Sequence, residues 1–521
     1  MNMLNQWPAR LAPAGLALAL LTGCTTFGED PHVVVGMSDD VLATDPASGY
    51  DPGSWLLFDN VFQSLLSFPS GGTEPEPDAA EACYFTDGRA RVYKCVLKDG
   101  LRFSNGDPLT AQDVKFSFDR TLRIKDPAGP AVMFSTLDTI ETPGDRTVVF
   151  RLKVPDATFP SKIASGAGSI VDHRQYDSGK LRTDGVAIGS GPYTLDRFGK
   201  GDAVFSVNGR YKGNAEVKNT GITLRFFHGD QGALKQDLLD GKVDVAYRGL
   251  TAQDISDIGL RTRRKDIEVV EGSSAEVQHL VFDMRDPVAG KLAVRRAIAH
   301  VLDRDALVRE VYRDTAIPLY SIVPAGIGGH TTAFFDLYGG RPSRAEAAAV
   351  LRADGITGKV KLTLWSTPTR YGPATDQELA AIAAQLNASG LFDADVRSVP
   401  FDRYERDIAA GRYGVYVKGW VPDYPDADNF TAPFFGRGNV LGNHYENGTV
   451  TRKLIPRTAA LSERTDADGT FGRIQDIVAG QVPVLPVWQA KQYAVVRDGV
   501  HGVDYCLDAS TVFRFWEISK D

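Results

Sequence analysis

Eight histidines, at positions 32, 173, 228, 279, 300, 330, 444 and 501, are the first places to look for acid–base or metal chemistry. No two of them stand at the spacing of a metal-ligand pair. The chain holds no H-E-x-x-H, no G-x-S-x-G and no G-x-x-x-x-G-K-[ST], so zinc hydrolysis, a nucleophile elbow and a phosphate-cradling loop all lack their local signatures. Gly189-Ser190-Gly191-Pro192-Tyr193 sets a serine between glycines but without the elbow spacing, and it reads as a turn leading into a strand. A triad assembled from distant residues leaves no sequence signature. The expectation is a chain that is not an enzyme, with no metal and no cofactor.

The four cysteines sort by context. A short segment ending at Arg10 precedes the apolar run Leu11–Leu21, which is well short of the roughly 20 residues a membrane helix needs. It fits the apolar core of a signal peptide. The following Leu21-Thr22-Gly23-Cys24 resembles a bacterial lipobox, and the resemblance implies that Cys24 is lipidated and begins the mature protein. An ordinary signal peptide with an incidental cysteine is the other reading. Residues 1–23 are thus expected to be a signal peptide and residues 24–30 a tether. Cys83 and Cys95 flank two short strands, 84–85 and 91–94, around the turn Thr86-Asp87-Gly88. That turn lets the two thiols face each other in a compartment where disulfides persist, so a Cys83–Cys95 bridge is expected. Cys506 is left over and reads as a small buried hydrophobe.

The elements that would position any site are α/β. At 521 residues the chain is long enough for two or three domains. Its net charge of −8 suits solubility and does not suit non-specific nucleic-acid binding. Thr110 with Asp113 forms a capping box, and Val114 and Phe118, four apart, share a helix face. Val294, Ala297, Ile298, Val301 and Leu302 recur at helical spacing. Ser343 with Glu346, and Thr375 with Glu378, are read as helix caps. A strand at 360–364, a helix with Leu379, Ile382 and Leu386 on one face, and a strand at 394–399 make a βαβ unit, whose crossover is right-handed. Pro483 and Pro486 are expected to lead into a last strand at 492–497. Both halves are α/β without a long linker, which implies two lobes with a cleft, and clefts between domains favour ligands.

Five blocks then carry a resemblance. KDGLRFSNGDPLTAQDVKFSFDR (98–120), VRRAIAHVLDR (294–304), SWLLFDNVFQSLL (54–66), the Gly189–Leu195 turn and GWVPDYPDADNF (419–430) together resemble the extracellular solute-binding proteins of the peptide/nickel class, family 5, the lipoprotein components of bacterial ABC importers. The blocks occur in family order and span essentially the whole mature chain. The resemblance implies a two-lobed periplasmic-binding-protein fold (type II, Venus flytrap), with an extra subdomain inserted in lobe one at residues 60–185. Lobe one would comprise residues 31–59, 186–275 and 490–521, and lobe two residues 276–489. Strands near 272–280 and 485–491 would form the hinge.

The resemblance also implies the ligand chemistry. A short peptide at neutral pH offers an ammonium, a carboxylate and backbone amides, and a receptor can hold its backbone as an added strand. Asp423, in Trp420-Val421-Pro422-Asp423, matches the aspartate that takes the ammonium, although Pro422 stands where relatives carry a small residue. Arg370, in Pro368-Thr369-Arg370-Tyr371-Gly372-Pro373, resembles the arginine that takes the carboxylate, a task its fork of donors suits. Trp420 would form a flat apolar wall, and Tyr50 would touch the ligand. The alternatives stay open: a turn-capping Asp423, a solvated Arg370, a core Trp420. So do a nickel chelate, haem or oligosaccharide ligand in the same fold, and a ligand-sensing role. The implied partners are a short peptide and an ABC permease. The protein is expected to act as a monomer outside the cytoplasm, held to the membrane by its lipid alone.

Overall fold

The computed structural model describes residues 32–260, 266–368 and 370–521. The expected signal peptide, Cys24 and the tether lie outside the described residues. No helix among them is long and apolar enough to cross a membrane.

Two long strands organise the molecule. Ile267–Phe282 and Val484–Arg497 run antiparallel along nearly their full length, from Ile267 opposite Arg497 to Val281 opposite Val484. On one side the pair carries Val415–Trp420, then Val360–Ser366 and Phe392–Ser398. On the other it carries Val245–Tyr247, Val33–Met37, Gly221–Phe226, Asp202–Val207 and Tyr193–Phe198, while the short Ala316–Pro318 also pairs with Val484–Arg497. Val33–Met37 lies parallel to both neighbours and is buried throughout, which is why its sequence, VVVGM, is an unbroken apolar run. The βαβ unit is as read: Val360–Ser366 pairs in parallel with Phe392–Ser398, and Thr375–Ala388 crosses between them with Leu379, Ile382 and Leu386 fully buried. The helix ends at Gly390, whose φ of +73° a residue with a side chain adopts only at a cost.

The architecture is two-lobed α/β. One core gathers buried residues between 275 and 488 together with Ala509, and a second gathers residues from 33–62, 171–247 and 494–518. A third, built from 65–170 with Tyr424 and Val512, lies around a separate four-stranded sheet. In that sheet Ala80–Phe85 pairs with Val92–Leu97, so Cys83 stands opposite Cys95 with Cα atoms 4.1 Å apart. The Gly-Ser-Gly turn is backbone geometry. A Cβ on Gly189 would lie 2.1 Å from the Val61 carbonyl oxygen, and Gly191 N–H donates to that same oxygen at 2.9 Å. Cys506 is buried with its Sγ 3.2 Å from the Arg514 carbonyl, and burial pushes its thiol up to about 12, which makes it inert.

Two readings of the sequence need correction. The last long strand begins at Val484, eight residues before the expected start. Pro486 is tolerated inside it because the register with Ile267–Phe282 shifts between Gln278 and His279, where Pro486 stands and its missing N–H is absorbed by the irregularity. Glu378 is not a cap. The helix is preceded by Ala374, and the Glu378 carboxylate turns inward to accept from Tyr312 OH (2.5 Å), Gln278 Nε2 (3.0 Å) and Trp488 Nε1 (3.2 Å). It therefore ties the βαβ layer to both long strands, at a depth where burial raises its pKa.

Candidate functional site

The cavity begins at the helix Pro52–Val61. Asp51 caps it by accepting from Ser54 N–H at 2.8 Å, and Pro52 supplies the fixed φ that favours a first helical turn. Residues four apart share a face, so Asp51, Trp55 and Asp59 together form one wall. Opposite them stands the segment Gly419–Asp423, delivered by the end of the strand Val415–Trp420. Between the walls is a cavity of about 360 Å³, within the range of small-ligand sites. A neighbouring cavity of about 730 Å³ shares Asp51, Arg248, Glu276, Arg370 and Val421 with it.

All four residues singled out from the sequence line this cavity: Tyr50, Arg370, Trp420 and Asp423. Tyr50 OH donates to Asp423 Oδ1 at 2.7 Å, a bond between chain segments 373 residues apart. Burial raises the Asp423 pKa, opposed by hydrogen bonds from Tyr50 and Asn429 and by the charge of Lys162. Trp420 both lines the cavity and packs on the core, with its ring edge-on to Phe434 at 5.2 Å. Arg370 is exposed, its guanidinium 5.1 Å from the centre of the Phe401 ring, and it forms no ion pair among the described residues. A cationic fork with no ion pair among the described residues and a half-buried carboxylate thus line one hollow.

Sequence reasoning passed over Asn429. Its Oδ1 accepts from Trp420 Nε1 at 2.8 Å and from Asp423 N–H at 3.1 Å, and its Nδ2 donates to Asp423 Oδ2 at 3.2 Å. One amide therefore orients both the wall and the carboxylate. Its position six residues after Asp423, inside the same block, was the available signal. Arg248 and Glu276 were also passed over. Arg248 Nε donates to Asp39 Oδ2 at 2.7 Å, while Glu276 is raised by burial against the opposing charge of Arg248. Asp426 caps the turn that follows, its carboxylate accepting from Asp428 N–H at 2.7 Å, while the Asp428 carboxylate accepts from Tyr424 OH at 3.4 Å.

Asp59 was missed too, and it makes a pH test. Burial pushes its carboxyl up to about 7, with the charge of Arg514 opposing. The folded state keeps this proton over a range where an unfolded aspartate, near ~3.9, has lost it. The stabilising contribution is therefore complete below the unfolded value and is lost as pH rises through 7. Asp59→Asn cannot ionise, so it is expected to melt above the wild type at pH 8.5 and level with it at pH 4. Thermal denaturation at the two pH values checks this, and an equal difference at both would contradict it.

Residues 74–442 match the family model for Bacterial extracellular solute-binding proteins, family 5 Middle. Among curated proteins, a probable D,D-dipeptide-binding periplasmic protein of Escherichia coli is 25% identical over 504 residues, covering 94% of each chain. A dipeptide-binding protein of Pseudomonas aeruginosa is 23% identical, covering 94% of this chain and 95% of its own. Among solved structures, a periplasmic binding protein of Helicobacter pylori, in complex with the peptide STSA, superposes with a TM-score of 0.76. It is 20% identical and covers 94% of this chain and 98% of its own.

Proposed function

The chain belongs to the bacterial extracellular solute-binding proteins of family 5, and we propose that within this family it captures short peptides and delivers them to an ABC permease. It is a binding protein of transport and not an enzyme. The observation that carries the peptide reading is the pairing of Asp423 with Arg370 on one cavity wall system. A half-buried carboxylate suits the ligand ammonium, and a guanidinium with no ion pair among the described residues suits its carboxylate. Two curated relatives named for dipeptide binding support the same reading.

In this reading lobe one comprises residues 31–59, 186–275 and 490–521, the inserted subdomain residues 60–185, and lobe two residues 276–489. The separation of the buried apolar residues into distinct cores supports the division. The ligand bridges the lobes and shifts the population toward the closed form, which docks on the permease. Cys24 carries the lipid, Cys83 and Cys95 form a disulfide after export, and the chain acts as a monomer.

A thermal-shift screen of the soluble mature chain tests this. Dipeptides at 100 times their dissociation constant are expected to stabilise it by about 2.7 kcal/mol. Stabilisation by haem, nickel–histidine or an oligosaccharide, with dipeptides inert, would replace the peptide reading.

A further inference from the structure

One carboxylate on the cavity wall has no task in that account. Asp59 sits on the helix Pro52–Val61, one turn beyond Trp55, and lines both the 360 Å³ cavity and a second one of about 200 Å³. Phe68 and Val512 are the other residues common to both, so the two hollows meet where Asp59 stands. No hydrogen bond or ion pair reaches its carboxylate among the described residues. The nearby cation is already committed: Arg514 bonds Asp508 Oδ2 at 2.8 Å and the carbonyls of Phe68 and Pro69 at 3.0 and 3.1 Å. Beyond Asp59 the second cavity is lined by Glu76, Asp78 and Glu517, and Arg514 is the single basic residue among its described lining.

Two of the other acids of the main cavity are held in place, and a third stands near a cation. Asp51 caps its helix, Asp423 is held by Tyr50 and Asn429, and Glu276 faces the charge of Arg248. Asp59 is half-buried and, among the described residues, has neither a donor nor a counter-ion in contact; what sets it apart from Glu276 is its place where the two cavities meet. A carboxylate that lines both hollows without a partner gains a charge pair only when a ligand cation arrives.

We propose that Asp59 is a specificity-determining residue of the same site, which receives the ammonium or guanidinium side chain of a basic peptide where the two cavities meet. The inference rests on the peptide reading above and narrows it to a substrate class. The ligand ends engage Asp423 and Arg370, and the second, acidic hollow accepts the side chain.

Calorimetry on the mature chain tests this with Lys-Ala and Ala-Lys, each against its norleucine counterpart, which keeps the methylenes and removes the charge. Wild type is expected to bind at least one lysyl peptide about tenfold or more tighter than its norleucyl partner. In Asp59→Asn that ratio is expected to fall toward one, and in Asp59→Glu to recover in part. Equal affinity for lysyl and norleucyl peptides in wild type overturns the assignment, as does a lysyl preference that survives Asp59→Asn. Binding of Ala-Ala without any charge preference leaves the peptide reading standing and removes only Asp59. If no peptide binds, the peptide reading falls and this inference falls with it.

Discussion

Asp423→Ala is expected to weaken dipeptide binding by about 30- to 5,000-fold, the equivalent of roughly 2–5 kcal/mol, without lowering the melting temperature of the empty protein. The two halves of this expectation have one cause. Asp423 is held in a site that raises its pKa through burial, so its charge is a liability until a cation arrives. Removing it costs the complex a charge pair and costs the empty protein two hydrogen bonds, from Tyr50 and Asn429, whose donors face a hollow that water can fill. Asp426→Ala is the control three residues away. Asp426 accepts from Arg464 Nε and NH2, both at 2.7 Å, and caps the turn that follows, so its loss should lower the melting temperature and spare affinity. Titration calorimetry and thermal denaturation of both variants separate the roles. Unchanged dipeptide affinity in Asp423→Ala would take that residue out of the site.

How far the sequence made this legible depends on what each residue answers to. Periodic burial is written locally: Leu379, Ile382 and Leu386 announce a helix face, and the structure buries all three. Ser343 before Glu346 announces a cap, and Ser343 Oγ accepts that backbone N–H at 3.3 Å. Glu378 carries the same local pattern after Thr375, yet its partners Gln278, Tyr312 and Trp488 come from three distant segments, and no spacing rule reaches them. Pro483 and Pro486 point to a strand that starts after them, yet the strand runs Val484–Arg497 and contains Pro486. The register shift in the facing strand shows how Pro486 fits. At the cavity, Tyr50, Arg370, Trp420 and Asp423 were legible through motif blocks. Asn429 lies in the same block but its hold on two of them, like the place of Asp59 between two cavities, shows only once the walls face each other.

Arg120→Ala is expected to be the most destabilising single change of the kind this fold invites, at about 3–5 kcal/mol. Arg120 closes the block 98–120 and lies on the helix Ala111–Ile124, where its side chain and that of Asp45 are 2% and 1% exposed. The two groups meet fork to fork, NH1 to Oδ1 at 2.7 Å and NH2 to Oδ2 at 2.6 Å, and Arg120 also donates to the carbonyls of Asp177 and Lys180 at 2.7 Å each. Asp45 in turn accepts from Arg182 N–H at 2.7 Å and Ala47 N–H at 3.0 Å, while its own carbonyl accepts from Ser48 and Gly49 N–H. Truncating Arg120 strands a buried carboxylate, and the penalty is that of an uncompensated charge, not the net worth of the pair. The double change Asp45→Leu with Arg120→Met should therefore recover much of the loss, a coupling that a double-mutant cycle in urea measures directly. The consequence travels to the cavity because the turn that Asp45 organises leads within five residues to Tyr50, whose hydroxyl meets Asp423. Arg120→Ala should thus weaken ligand binding even at temperatures where the protein remains folded. A loss of stability below about 1 kcal/mol, or a double variant no better than the single one, would mean that the buried pair is not what ties this segment to the helix.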